Sequence, residues 1–140
     1  MTTAYDVAQI IQISVAPVFL LAGIGAFLNV MASRLARIVD RSRELNAQQE
    51  LDDYDNQEIA ILGTRAKVIN ASISLCTFAA TLNSLVIICL FVFYFTASNA
   101  PVLIASLFIA TMLSVVAGLM LFQTEVFLAT KWLRISIHED

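Results

Sequence analysis

Residues 68–95 read VINASISLCTFAATLNSLVIICLFVFYF, residues 101–124 read PVLIASLFIATMLSVVAGLMLFQT, and neither stretch contains a charged side chain. Because an α-helix rises about 1.5 Å per residue, roughly 20 apolar residues cross the hydrocarbon core of a bilayer. Both stretches are longer than that, and only the short segment Thr96–Ala100 separates them. Together they predict a transmembrane helical hairpin.

The composition of the whole chain agrees with a membrane location. Its 140 residues leave room for one domain, and 59% of them are hydrophobic whereas 14% are charged. The mean hydropathy of +0.83 is typical of membrane proteins. The net charge of −3 argues against a nucleic-acid partner, because phosphate binding needs a basic face. The expected partner is the lipid bilayer.

Another uncharged segment precedes this hairpin. Residues 7–33 contain Pro17, which removes one backbone hydrogen bond and is tolerated in membrane helices. The predicted fold class is therefore all-α, an integral membrane protein with three transmembrane helices. The predicted layout is a single membrane domain over residues 1–140, with transmembrane helices at about 7–33, 68–95 and 101–124, a cytoplasmic helical hairpin at about 34–67 and a cytoplasmic tail at 125–140.

Helical periodicity continues from the membrane into the 34–67 segment. The spacing of Asp55 and Glu58 resembles a capping box, which predicts that the second helix starts there. We expect the first two helices to project from the membrane side by side, joined by the polar loop Asn46–Asn56. The apolar positions of the second helix alternate steps of three and four, a heptad-like seam formed by Ile59, Leu62, Ala66, Ile69, Ile73, Cys76 and Ala80.

The basic residues predict the orientation of the chain. All eight lie either between the first two membrane helices or after the third: Arg34, Arg37, Arg41, Arg43, Arg65, Lys67, Lys131 and Arg134. By the positive-inside rule the N-terminus is outside, and the 34–67 hairpin and the C-terminus are cytoplasmic. Trp132 is expected to act as an interfacial aromatic anchor.

The segment from Arg34 to Leu45 reads RLARIVDRSREL and follows a helix that carries Pro17 and Asn29. Together with the later hairpin and the Gln123-x-Glu125 pair, it resembles the bacterial "domain of unknown function 2721" family of small membrane proteins. The resemblance covers nearly the whole chain, and the 34–45 segment is its most specific part. It implies a multi-pass protein of the bacterial inner (plasma) membrane, with no established activity.

No arrangement typical of a catalytic site occurs in the sequence. The single histidine is His138, and there is no nucleophile–base set, Gly-rich phosphate loop or paired metal ligands. Cys76 and Cys89 lie too far apart on one predicted helix to form a disulfide. The acidic tract at 50–58 lacks the spacing and glycine of an EF-hand loop. The sequence therefore predicts no enzymatic activity, no cofactor and no metal site.

Five polar residues of the second helix share one face beside the apolar seam. They follow one another in steps of four, three, four and three: Asn70, Ser74, Thr77, Thr81 and Ser84. The favoured interpretation is helix packing, with the hydroxyls donating to backbone carbonyls one turn back. The alternative is a hydroxyl lining of a water-filled pore in an oligomer. Asn83 lies off this face and needs a partner within the membrane.

The first helix carries a second candidate pore lining. It is formed by residues at a strict spacing of four. Along the helix these side chains change from small to polar to basic: Gly25, Asn29, Ser33, Arg37 and Arg41. As a pore lining it would form a funnel with a ring of Arg37 side chains at the cytoplasmic mouth, which would favour anions or repel cations unless Asp40 and Glu44, one turn away, neutralise it. The favoured interpretation is a positive-inside anchor that binds lipid phosphate.

Glu125 is the one acidic residue at the end of the third membrane helix, and at the membrane edge it needs a cationic partner. Arg34 and Lys67 are predicted at a similar depth, with Gln123 in a supporting position. An interfacial salt bridge is favoured over a cation or proton site. Ala110, Ser114 and Gly118 predict a small-residue packing face.

Polar stripes on several faces cannot all be satisfied within one three-helix bundle, so we expect a homo-oligomer with closed cyclic symmetry. The leading hypothesis is a small homo-oligomeric pore that conducts ions. The rival hypothesis is a non-conducting membrane scaffold or regulatory subunit that recruits a cytoplasmic protein partner through the 34–67 hairpin.

Overall fold

The computed structural model describes the backbone of residues 4–47, 53–96 and 100–136, and the side chains of residues 7–47, 53–96 and 100–130. Every regular element in these ranges is an α-helix: α1 is Ala4–Asn46, α2 is Asp53–Phe95 and α3 is Pro101–Ser136. The side chains of Trp132 and His138, and parts of the two predicted connections, lie outside these ranges.

All three helices are long and apolar enough to cross a membrane, with candidate spans at Val7–Asn46, Asp53–Phe95 and Pro101–Thr130. The predicted all-α fold with three spanning helices is therefore confirmed. Each span exceeds the roughly 20 residues that the hydrocarbon requires, so part of each helix must extend beyond it.

One helix start differs from the prediction, and one helix runs on beyond its predicted membrane span. α2 begins at Asp53, two residues before Asp55, and Glu58 bonds to Arg41 of α1. α3 continues past residue 124 to Ser136, because residues 125–136 contain neither Gly nor Pro to interrupt the helix. The segment predicted as a tail from residue 125 thus begins as the last turns of α3.

α2 lies between the other two helices and packs against both, whereas α1 and α3 make few direct contacts. The main core lies where α2 meets both neighbours. Its buried residues are Ile24 and Met31 of α1 and Ile69, Cys76 and Ala79 of α2, and Val115, Leu119 and Phe122 of α3 pack against them. Every position of the predicted α2 seam is buried or half-buried, which confirms the heptad-like pattern.

α1 and α2 remain packed together beyond this core. Ile38, Leu45 and Leu62 form a second buried cluster, and Ile59 and Ala66 pack against it. In the same region Arg41 Nε donates to Glu58 Oε1 at 2.9 Å and its Nη2 donates to Glu58 Oε2 at 3.2 Å. The 34–67 hairpin therefore has an apolar core of its own.

α2 and α3 approach most closely at Gly118. The Ser72 hydroxyl, fully buried, donates to the Gly118 carbonyl. A Cβ on Gly118 would lie 2.7 Å from Cys76 Sγ and 3.4 Å from the Ser72 carbonyl oxygen. The absence of a side chain at this position is what lets the two backbones approach.

α1 is held to α2 by a polar contact deep in the apolar part of the chain. Asn83 Nδ2 donates to the Pro17 carbonyl at 2.7 Å, which supplies the partner that Asn83 was predicted to need. Its Oδ1 is buried without a hydrogen-bond partner among the described residues. Beyond this contact, α1 and α3 flank an apolar groove of about 430 Å³ lined by Ile13, Val86, Leu90, Ile104 and Phe108 among others.

Candidate functional site

Glu125 of α3 is at the centre of a charge cluster that joins all three helices. Its side chain is fully buried. Arg65 of α2 donates from Nε and Nη2 to Oε1 at 3.2 and 2.8 Å, and Arg34 of α1 donates from Nη1 to Oε2 at 3.1 Å. The Arg34 guanidinium also lies over the Phe122 ring, 5.3 Å from its centroid, so stacking and ion pairing fix it together.

Of the two cations predicted beside Glu125, the structure places Arg34 there and does not place Lys67 there. Lys67 is exposed and forms no ion pair with the described residues, and Gln123 is also exposed. The second cation beside Glu125 is Arg65, which was not predicted from the sequence. Helical spacing indicates this residue, because Arg65 follows Leu62 by three residues and precedes Ile69 by four, and so lies on the buried face of α2.

Next to this cluster is a cleft between α1 and α2 that we call the arginine cleft. It has a volume of about 370 Å³ and is lined by Arg34, Arg37, Ile38, Arg41, Glu58, Ile61, Leu62 and Arg65. Arg41 is held by Glu58 and also contacts Glu44 at 3.5 Å. Arg37 is exposed and forms no ion pair or hydrogen bond with the part of the chain described.

The polar face of α2 lies mostly on the surface of the chain. Asn70, Ser74, Thr77 and Thr81 are exposed and Ser84 is half-buried. Ser74, Thr81 and Ser84 each donate to the carbonyl four residues earlier, at 2.9–3.1 Å. This is the back-bonded arrangement expected of hydroxyls in a membrane helix, and it leaves the oxygen lone pairs available on the outer surface.

The α1 stripe is also exposed, from Gly25 through Asn29 and Ser33 to Arg37. Residues four apart on an α-helix differ by about 40° around its axis, so the stripe turns by about 120° between Gly25 and Arg37. The C-terminal end of the stripe, at Arg37 and Arg41, lines the arginine cleft. The residues of the α2 polar face are on average 3.5 residues apart, which is close to one helical turn. This face therefore turns much less around its helix axis and is the straighter of the two candidate linings.

No polar track runs through the middle of the described bundle. The space between the helices is filled by the apolar core, and the buried polar groups Ser72, Asn83 and Thr111 bond to nearby backbone carbonyls. Three such helices cannot enclose an aqueous path. Any path along the α2 face must lie outside this chain, between it and a neighbour.

These features define a multi-pass α-helical membrane protein. It has three long apolar helices, a buried charge cluster at the end of the uncharged stretches, and exposed polar faces. Residues 14–135 match the family described as "Protein of unknown function (DUF2721)". The chain belongs to this family, as its Arg34–Leu45 segment indicated. No curated protein and no solved structure matches the chain.

Proposed function

We propose that the protein is a homo-oligomeric pore of the bacterial inner membrane that conducts ions along the polar face of α2. In this proposal the N-terminus is outside and the 34–67 hairpin and C-terminus are cytoplasmic, as the positions of all eight basic residues favour. The path runs between copies, because the middle of each chain is filled by its own core.

The observation that carries the proposal is the exposure of polar groups on the apolar part of the chain. Asn29 and Asn70 are exposed, and their side-chain amides form no hydrogen bond with the described residues. Within hydrocarbon an unpaired amide costs several kcal/mol, as an order of magnitude, so a second copy or a column of water should satisfy these groups.

Two glycines in the predicted membrane span of α1 add to this support. A Cβ built at Gly23 or Gly25 meets no atom within 4 Å, so neither glycine serves a close approach among the described residues. Membrane helices use such small residues where the backbones of neighbours approach. These positions are therefore free to accommodate a helix of another copy.

The test combines assembly with flux. We expect a discrete native mass of four or more subunits in lipid nanodiscs, since fewer copies leave too few helices around a path. In liposomes, the double variant Thr77→Leu and Thr81→Leu should block ion flux without changing the native mass. The matched control is Thr96→Leu, because Thr96 is an exposed threonine directly after α2 and outside the proposed lining.

A monomeric or dimeric native mass would refute the pore, and unchanged flux in the double variant would refute this lining. The 34–67 hairpin supports the second candidate, a non-conducting scaffold or regulatory subunit that binds a cytoplasmic protein. Its separate core and the Arg41–Glu58 pair give it a defined surface to present. Loss of a specific pull-down when residues 46–58 are replaced by a Gly/Ser linker would favour that candidate.

A further inference from the structure

The arginine cleft keeps an excess of positive charge after its internal ion pairs are formed. Four guanidinium groups line it, and the carboxylates that contact them are Glu58, Glu125 and the more distant Glu44. One guanidinium therefore has no direct carboxylate contact among the described residues. It belongs to Arg37, which is exposed and forms no ion pair with Asp40 three residues further along α1.

The guanidinium groups in the cleft also retain free donors. Arg34 uses Nη1 for Glu125, its side chain is 40% exposed, and its other N–H groups have no partner among the described residues. Glu125 and Phe122 hold this guanidinium in place, so its free edge is positioned before any ligand arrives. Paired N–H groups in a fixed fork match two oxygens of a phosphate group.

The position of the cleft indicates which kind of molecule would present a phosphate group to these arginines. Arg34 directly follows the uncharged segment 7–33, and Arg65 lies three residues before the uncharged stretch that starts at Val68. The cleft thus lies at the end of the apolar part of the bundle, at the depth of lipid headgroups. Ile38, Ile61 and Leu62 give it an apolar wall beside the four arginines.

We propose that the arginine cleft binds the phosphate group of an anionic phospholipid, with Arg37 and Arg34 as the donors to its oxygens. Arg65 and Glu125 serve as positioning residues that hold Arg34. The same donors suit inorganic phosphate arriving from the aqueous side, and the experiment below separates the two sources. The proposal does not depend on whether the protein conducts ions.

The test compares the variants Arg37→Gln and Arg43→Gln. Both replace an exposed arginine of α1, and each removes one positive charge. Arg43 points to another part of the surface, beside Val39, Gly63 and Ala66, and does not line the arginine cleft. The proteins are placed in nanodiscs of phosphatidylcholine with or without phosphatidylglycerol, and retained phosphatidylglycerol is counted by native mass spectrometry. Loss of one hydrogen bond between charged groups in a fixed site changes affinity by about tenfold or more, whereas general surface charge affects both variants alike.

We expect Arg37→Gln to retain phosphatidylglycerol at least about tenfold more weakly than Arg43→Gln, because only Arg37 donates to the phosphate within the cleft. A thermal shift by inorganic phosphate in pure phosphatidylcholine nanodiscs that is lost in Arg37→Gln would support the same site and assign it to free phosphate. Equal losses in both variants would reduce the effect to general surface charge and overturn the site. So would the absence of any response to either phosphate source. Because Arg37 has no ion pair among the described residues, its replacement should leave the thermal midpoint without ligand unchanged.

Discussion

At the scale of single residues, Gly118 shows how closely the α2–α3 interface is packed. Its Cβ position lies 2.7 Å from Cys76 Sγ, and Cys76 is itself buried against the three-helix core. Gly118→Ala should therefore destabilise the fold by about 1–3 kcal/mol, the usual cost of overpacking. The free energy of unfolding in mixed micelles measures this.

The Gly118 prediction has an internal rescue. Cys76→Ala removes the sulfur that the new methyl group would meet, so the double variant should be more stable than the sum of the two single effects. Gly63→Ala is the control, because no atom lies within 4 Å of its Cβ position. Strict additivity of the two substitutions would contradict the predicted clash.

Glu125 gives a second prediction at this scale. Arg65→Gln removes the cation that binds Glu125 twice and leaves a fully buried carboxylate with Arg34 alone. Breaking a buried ion pair in this way costs about 3 kcal/mol, to be measured as a lower free energy of unfolding. Lys67→Gln makes the same charge change only two residues away at an exposed position, and it should have almost no effect. Equal effects would mean that local charge, and not the pair, stabilises the bundle.

At the scale of the helices, the 34–67 hairpin has a buried cluster separate from the three-helix core. Leu62 is buried against Ile38 and Leu45, so Leu62→Ala should cost about 3 kcal/mol by leaving a cavity. We expect hydrogen exchange to accelerate at the amides of the hairpin and to stay slow around Ile69 and Cys76. Thr64→Ala, at an exposed position two residues on, is the control. Faster exchange throughout α2 would show that hairpin and membrane core unfold together.

The helices themselves could be predicted from the sequence, because each has a physical signal that acts along the chain. Long uncharged stretches predict membrane spans, and the alternating steps from Ile59 to Ala80 predict the buried face of α2. The partners of Glu125 could be predicted only in part. Lys67 and Arg65 lie within one turn of each other, and the rotation of α2 against α3 decides which of them reaches Glu125. The pore lining stays a prediction, because it concerns contacts between copies.

At the scale of the whole molecule, the chain should cross the membrane three times with its ends on opposite sides. Basic residues are absent from the N-terminal segment and from the segment 96–100. A reporter that is active only in the cytoplasm should therefore be active when fused to the C-terminus and silent when inserted in the segment 96–100. Moving basic residues to the N-terminal segment should weaken this preference. The reverse activity pattern would invert the orientation and place the arginine cleft on the outer side.

The central position of α2 has a consequence for how the protein is made. Each helix packs mainly on the one that precedes it in the chain, so the emerging polypeptide can build its tertiary structure in the order of synthesis, without a long-range search. α1 can pair with α2 before α3 exists, and Arg34 and Arg65 then stand at the membrane edge, where water and headgroups solvate them. We therefore expect Glu125 to join Arg34 and Arg65 last, so that the salt bridge between the three helices forms only after α3 has been inserted.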